Sequence, residues 1–138
     1  MMQVRDIMTR HVEACSNQDS LQEVASKMSS MNVGAMPVVE NGQVVGMVTD
    51  RDLTIRGLTQ SKPGAVSQVM TQNAVTISPD ASVESASALM AERQIRRLPV
   101  VENGQLVGML ALGDLAVQQK SDRSAGVALS QISENHLH

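Results

Sequence analysis

The sequence contains no Phe, Tyr or Trp. Without aromatic faces it cannot build the stacking platforms on which single-strand binders hold bases. A net charge of −3, with acidic and basic residues interspersed, supplies no long-range field to gather nucleic acid. Any anion must therefore be held locally, and no nucleic-acid partner is expected. A single cysteine, Cys15, excludes an internal disulfide framework and suits a reducing compartment. Nothing beside it favours a thiolate, so it reads as a small buried hydrophobe. No stretch approaches the roughly 20 apolar residues of a membrane span, and Met1 to Arg10 lacks a signal-peptide apolar run. A cytoplasmic protein with no membrane partner is expected.

Catalytic patterns are missing as well. There is no Gly-rich phosphate loop ending in Lys-Ser/Thr, no His-Glu-x-x-His and no Gly-x-Ser-x-Gly elbow. The three histidines are His11, His136 and His138, the last two in a polar tail. No metal site, required cofactor or enzymatic activity is expected from this inventory.

What is present is a foldable chain. Its 138 residues are 42% hydrophobic and 18% charged, which fits a globular protein. A chain of this size buries roughly two-thirds of its extended surface, which argues against two free-standing domains. Ten methionines supply the large, adaptable core filler that aromatics otherwise provide.

An internal repeat organises the chain. Adding 62 to a residue number in the first half lands on its counterpart, and residues 4–55 share 18 identities in 52 ungapped positions with residues 66–117. Val4, Met8 and Thr9 map onto Val66, Met70 and Thr71. Pro37 to Gln43 maps onto Pro99 to Gln105 letter for letter, and Asp52-Leu53 maps onto Asp114-Leu115.

Each copy has the same local signals. A strand candidate comes first, Val12 to Cys15 or Ala74 to Ile77. Ser20 and Ser82 then look like helix N-caps, with Glu23 completing a capping box in the first copy only. Leu21, Val24, Ala25 and Met28, like Val83, Ala86 and Met90, recur at the spacing of one buried helix face, running to about Met31 or Arg93. Two β-rich runs follow, Met36 to Val39 and Val44 to Val48, joined by Asn41-Gly42, with Asn103-Gly104 in the second copy. A last short helix is expected from near Thr49 or Asp50 to Gly57, its partner starting near Gly113. The fold class is therefore α/β (α+β), with the order β-α-β-β-α twice. The first repeat spans 1–57, a linker 58–65, the second repeat 66–117, and a polar, weakly helical or disordered tail 118–138.

At this point the sequence resembles the tandem CBS domain pair, or Bateman module. The residues carrying the resemblance are Val4-Arg5-Asp6-Ile7-Met8-Thr9, then Met36-Pro37-Val38-Val39-Glu40-Asn41-Gly42, then Gly46-Met47-Val48-Thr49-Asp50-Arg51-Asp52-Leu53. The likeness covers nearly all of 1–117. It implies repeats packed about a pseudo-twofold axis with two related clefts, an adenine nucleotide such as AMP or ATP (or a related adenosyl compound) as ligand, and a homodimer.

On that resemblance, Asp52 and Thr49 match the ribose-contacting pair, and the helix start beside them offers free N–H groups and a positive dipole end. The plainer reading makes Thr49 or Asp50 an N-cap and Asp52 a first-turn charge. Arg96 and Arg97 stand where relatives carry basic residues toward phosphate, and guanidinium forks suit phosphate oxygens; a solvated pair of charges is the alternative. Their first-repeat counterparts are Gly34 and Ala35. The better site thus assembles from Met47, Thr49, Asp50, Asp52, Ala74, Val75, Arg96 and Arg97. A second, weaker site assembles from Val12, Glu13, Gly34, Ala35, Met109 and Asp114, with Ala111 in place of the Thr. The rival from another class is a ligand-free structural or dimerisation module built on Met-rich helices.

Overall fold

The computed structural model describes residues 2–59 and 64–117. Residues 60–63 of the linker and the expected tail from Gln118 lie outside the described residues. The chain forms two compact units. The first gathers residues 13–74 with Gly104–Leu106; the second, among the described residues, gathers 2–12, 75–103 and 107–117.

In the first unit, Ser20 has extended backbone and its Oγ accepts from the Glu23 N–H at 3.1 Å, while the Glu23 carboxylate accepts from the Ser20 N–H. This reciprocal cap starts α1 (Leu21–Met31), which stops at Asn32 in a left-handed conformation, φ 55°. β2 (Ala35–Glu40) and β3 (Gln43–Thr49) form a hairpin whose turn residues Asn41 and Gly42 have φ 54° and 81°. Two consecutive positive φ angles are what a primed two-residue turn demands, and Asn-Gly meets that demand with least strain. β1 (Cys15–Ser16) pairs parallel with β2, and β4 (Thr71–Gln72) pairs antiparallel with β3, giving the order β1-β2-β3-β4. Gly46 permits the close approach of β4, since a Cβ there would stand 2.7 Å from the Thr71 carbonyl oxygen. The core is Cys15, Val24, Met28, Met36, Val38, Val48, Val66 and Val69.

Helical backbone begins at Asp50, but from Asp52 to Arg56 it takes π register before α2 (Gly57–Thr59). The Gly57 N–H accordingly reaches the Asp52 carbonyl five residues back. The helix thus runs two residues past the Gly57 expected from sequence.

The second unit repeats the plan. Ser82 Oγ accepts from the Ser85 N–H at 3.0 Å and starts α3 (Val83–Arg93); Ser85 stands where the first repeat has Glu23, so the returning carboxylate bond is missing. β5 (Arg97–Glu102) and β6 (Gln105–Ala111) form the hairpin and α4 (Leu112–Val117) follows. Val4, Val83, Ala86, Met90, Leu98, Val100, Leu110, Leu112 and Leu115 make its core.

The leading strand of each repeat is shorter than expected. Val12 to Cys15 reduces to Cys15–Ser16, and Ala74 to Ile77 reduces to one parallel bridge between Ile77 and Val100. β-rich composition makes a ladder only where a partner strand lies alongside. Opposite them, Thr9 bridges Met109 in the second unit as Thr71 pairs with Met47 in the first.

The leading segments are exchanged. The turn at Val4–Asp6 belongs to the second unit, where Val4 is fully buried, its N–H donates to the Ala81 carbonyl at 2.8 Å, and Arg5 pairs with Asp80. The turn at Val66–Gln68 belongs to the first, with Val66 fully buried and its N–H on the Asp19 carbonyl at 2.8 Å.

Candidate functional site

The residues singled out from sequence fall on both units. Met47, Thr49, Asp50, Asp52 and Ala74 lie on the first, as do Glu13, Gly34 and Ala35; Val12, Val75, Arg96, Arg97, Met109 and Asp114 lie on the second. Within the first unit the chemistry converges on the end of β3 and the helix that follows. The Thr49 N–H donates to Asp52 Oδ2 at 3.0 Å, and the Asp52 N–H donates to Thr49 Oγ1 at 3.0 Å. The Asp52 side chain is only 14% exposed, with its Oδ1 3.9 Å from Arg56 Nε. A carboxylate held by one oxygen keeps lone pairs on the other for a diol, and the Thr49 hydroxyl, accepting at this cap, keeps its own proton to donate.

Asp50 lies elsewhere than beside that pair. Its N–H donates to the Gly34 carbonyl at 3.0 Å, and its carboxylate covers Gly34, Oδ2 standing 3.4 Å from where a Cβ would be. Asp50 therefore keeps company with a residue that the sequence assigned to the other cleft. Ala35 pairs with Thr49 across the β2–β3 ladder. A groove of about 350 Å³ beside Asp50 runs between α1 and the following helix, past Met28, Asn32 and Val33.

In the second unit the matching cap is one-sided. The Ala111 N–H donates to Asp114 Oδ2 at 2.8 Å, and no hydroxyl is there to return the bond. The Leu112 N–H bonds the Arg96 carbonyl at 2.7 Å, the counterpart of Asp50 on Gly34. Arg96 is exposed, Arg97 half-buried at the start of β5, and Met109 buried.

Cys15 is 1% exposed, and burial pushes its thiol up to about 11, with Asp19 reinforcing the shift and Lys27 opposing it. Its Sγ lies 3.7 Å from the Pro37 carbonyl oxygen, and the group is a protonated core residue. Among the described residues, no cluster of three or more His, Cys, Asp or Glu is placed to hold a metal, and no helix is long and apolar enough to cross a membrane.

Sequence reasoning missed β4, the π segment and Arg56. Only Arg56 left a signal there, its place four residues after Asp52.

Two related α/β units, each with an aspartate-capped helix after a hairpin, define a tandem-repeat module. The sequence model of the CBS domain matches residues 4–56 and again 66–119, and the chain belongs to the CBS domain family. It is 50% identical over 140 residues to the CBS domain-containing protein YhcV of Bacillus subtilis strain 168, covering 100% of both chains. The crystal structure of CBSX2 in complex with AMP superposes with TM-score 0.78 at 26% identity, over 87% of this chain and 99% of that one. The CBS domain pair of protein MJ0100, in complex with 5′-methylthioadenosine and S-adenosyl-L-methionine, superposes with TM-score 0.78 at 25% identity, over 87% and 97%.

Proposed function

We propose that the protein is a cytoplasmic regulatory sensor that binds an adenine nucleotide, AMP, ATP or a related adenosyl compound, and carries out no reaction of its own. The observation that carries this reading is the Thr49–Asp52 pair: a mostly buried carboxylate, fixed by a backbone N–H on Oδ2 and facing Arg56 with Oδ1, beside a hydroxyl held by the same helix start. The family membership and the AMP and adenosyl ligands of CBSX2 and MJ0100 support it.

In this reading the repeats at 1–57 and 66–117 are the working parts. Asp52 and Thr49 take the ribose hydroxyls, the backbone of Ala74 and Val75 reads the base, Met47 packs on it, and Arg96 and Arg97 take phosphate. Asp50 contributes through the helix start. The second set, Val12, Glu13, Gly34, Ala35, Met109 and Asp114, binds weakly or not at all, because it has neither a Thr hydroxyl nor an arginine. Calorimetric titration with adenosine, AMP, ADP and ATP tests the reading. Saturable heat with at least one is expected, and none with any of the four would overturn it.

An apolar groove of about 520 Å³ on the first unit favours the other reading, a dimerisation module. Leu21, Ala25, Leu53, Gly57 and Leu58 line it, with Leu58 81% exposed. A homodimer accommodates both readings. Sedimentation at micromolar concentration is expected to give twice the monomer mass, and Leu58→Glu to lower it.

A further inference from the structure

We propose that Arg56 is a positioning residue that couples the carboxylate of Asp52 to strand β4, so that a ribose on Asp52 is felt in the segment leading to Ala74. This rests on the reading of Asp52 as the ribose acceptor.

The guanidinium of Arg56 hydrogen-bonds two carbonyls and lies at ion-pair distance from a carboxylate. Its Nη1 donates to the carbonyl of Val69 at 3.2 Å and of Met70 at 3.4 Å, and its Nε lies 3.9 Å from Asp52 Oδ1. Those carbonyls are the last two before β4, which is seated on β3 at Gly46 and Met47 with no room for a Cβ on Gly46. Asp52 holds Thr49 by Oδ2, so the oxygen turned to Arg56 is the one left for a ligand. An arriving hydroxyl must bond that oxygen where Arg56 aims it, so the ligand depends on the guanidinium, and any shift there is transmitted to the carbonyls it holds.

A lone ion pair on a side chain 54% exposed contributes little. Here the two carbonyl bonds orient the guanidinium beforehand, which its rigid fork of donors permits and a lysine ammonium does not. The helix register agrees with this role. Asp52 and Arg56 are the first and last residues of the π segment, and such segments concentrate at functional sites. The second repeat has α register at α4, and its residue matching Arg56 is Gln118, so the relay belongs to the first repeat alone.

Two measurements on the full chain test it. In ligand-free protein, amide hydrogen exchange is compared for wild type, Arg56→Ala and Arg56→Lys. Faster exchange at Thr49 and at Thr71–Gln72 together is expected in both variants, and unchanged exchange at either end overturns the clamp. Adenosine and AMP affinities are then measured in a cycle with Asp52→Asn. Arg56→Ala is expected to weaken both ligands roughly three- to tenfold in the wild-type background and not at all beside Asp52→Asn. Additive losses overturn the coupling. Should wild type bind neither ligand, the ribose reading of Asp52 falls and takes the relay with it, whatever the exchange shows of the clamp.

Discussion

Thr49 and Asp52 cap each other: each backbone N–H is bonded by the other's side chain at 3.0 Å. In the second repeat the corresponding pair, Ala111 and Asp114, keeps only one of these bonds. The duplication has therefore left one reciprocal cap and one one-sided cap.

The first prediction follows from that inequality. Asp52→Ala is expected to weaken adenosyl ligands about tenfold to a hundredfold, on the scale of hydrogen bonds to a charged group. Asp114→Ala is expected to change affinity little. Equal losses in calorimetry would show that the occupied corner has been misassigned. Thr49→Ala, which makes the first cap resemble the second, is expected to cost about 1 kcal/mol in denaturant unfolding.

Arg96 and Arg97 give a prediction that scales with ligand charge. Replacing both by alanine is expected to penalise AMP, ADP and ATP increasingly and to leave adenosine nearly unchanged. The penalty is expected to shrink at high salt, because Arg96 is exposed and screened. A loss of adenosine as large as that of AMP would remove the phosphate assignment.

Cys15 gives a pH prediction. Its folded-state thiol titrates near 11, above the ordinary value of 9.0. A raised pKa means that the folded chain holds the proton more tightly than the unfolded one, so the contribution is complete below pH 9 and lost as pH rises toward 11. Its size is on the order of 2 kcal/mol. Cys15→Ala is expected to lose this pH dependence while costing some packing, and native Cys15 to resist alkylation at neutral pH.

Gly46 and Gly108 give a paired test of the strand seating. A Cβ on Gly46 would meet the Thr71 carbonyl oxygen at 2.7 Å, and one on Gly108 the Thr9 carbonyl oxygen at 2.9 Å, with Met70 and Met8 sulfurs also in the way. The methionines can swing aside, but the carbonyls move only with the backbone. Either Gly→Ala change is expected to destabilise by about 1–3 kcal/mol, as overpacking does. A neutral result at Gly46 would mean that β4 is free to withdraw.

The legible parts of this fold are those written in local signals. The limits of α1 and α3, the Ser20–Glu23 box and both Asn-Gly turns follow from residues within a few positions of each other. β4 was hidden because Thr71–Gln72 is polar, exposed and two residues long; it is a strand only because β3 lies beside it. Nothing in Asp-Leu-Thr-Ile-Arg distinguishes π from α register. At the candidate site, the cap that the plainer reading of Thr49 and Asp52 expected is present, and it engages one carboxylate oxygen only. The placement of Asp50 over Gly34 was out of reach, because their meeting depends on a backbone bond across 16 residues of sequence.

The exchanged leading segments bear on how the chain is made. Residues 13–74 contain almost the whole first unit, so that unit has nearly all its parts once Ala74 has left the ribosome. The stretch before it does not share that fate. Val4 finds its neighbours at Ala81, Val83 and Leu98, all more than seventy residues later in the chain, and must wait for them to be made. Emergence from the N-terminus onward sets the order in which segments can fold. The Val-Arg-Asp-Ile-Met stretch is thus housed only after the Val66–Met70 segment, which fills the equivalent position in the first unit, has been made.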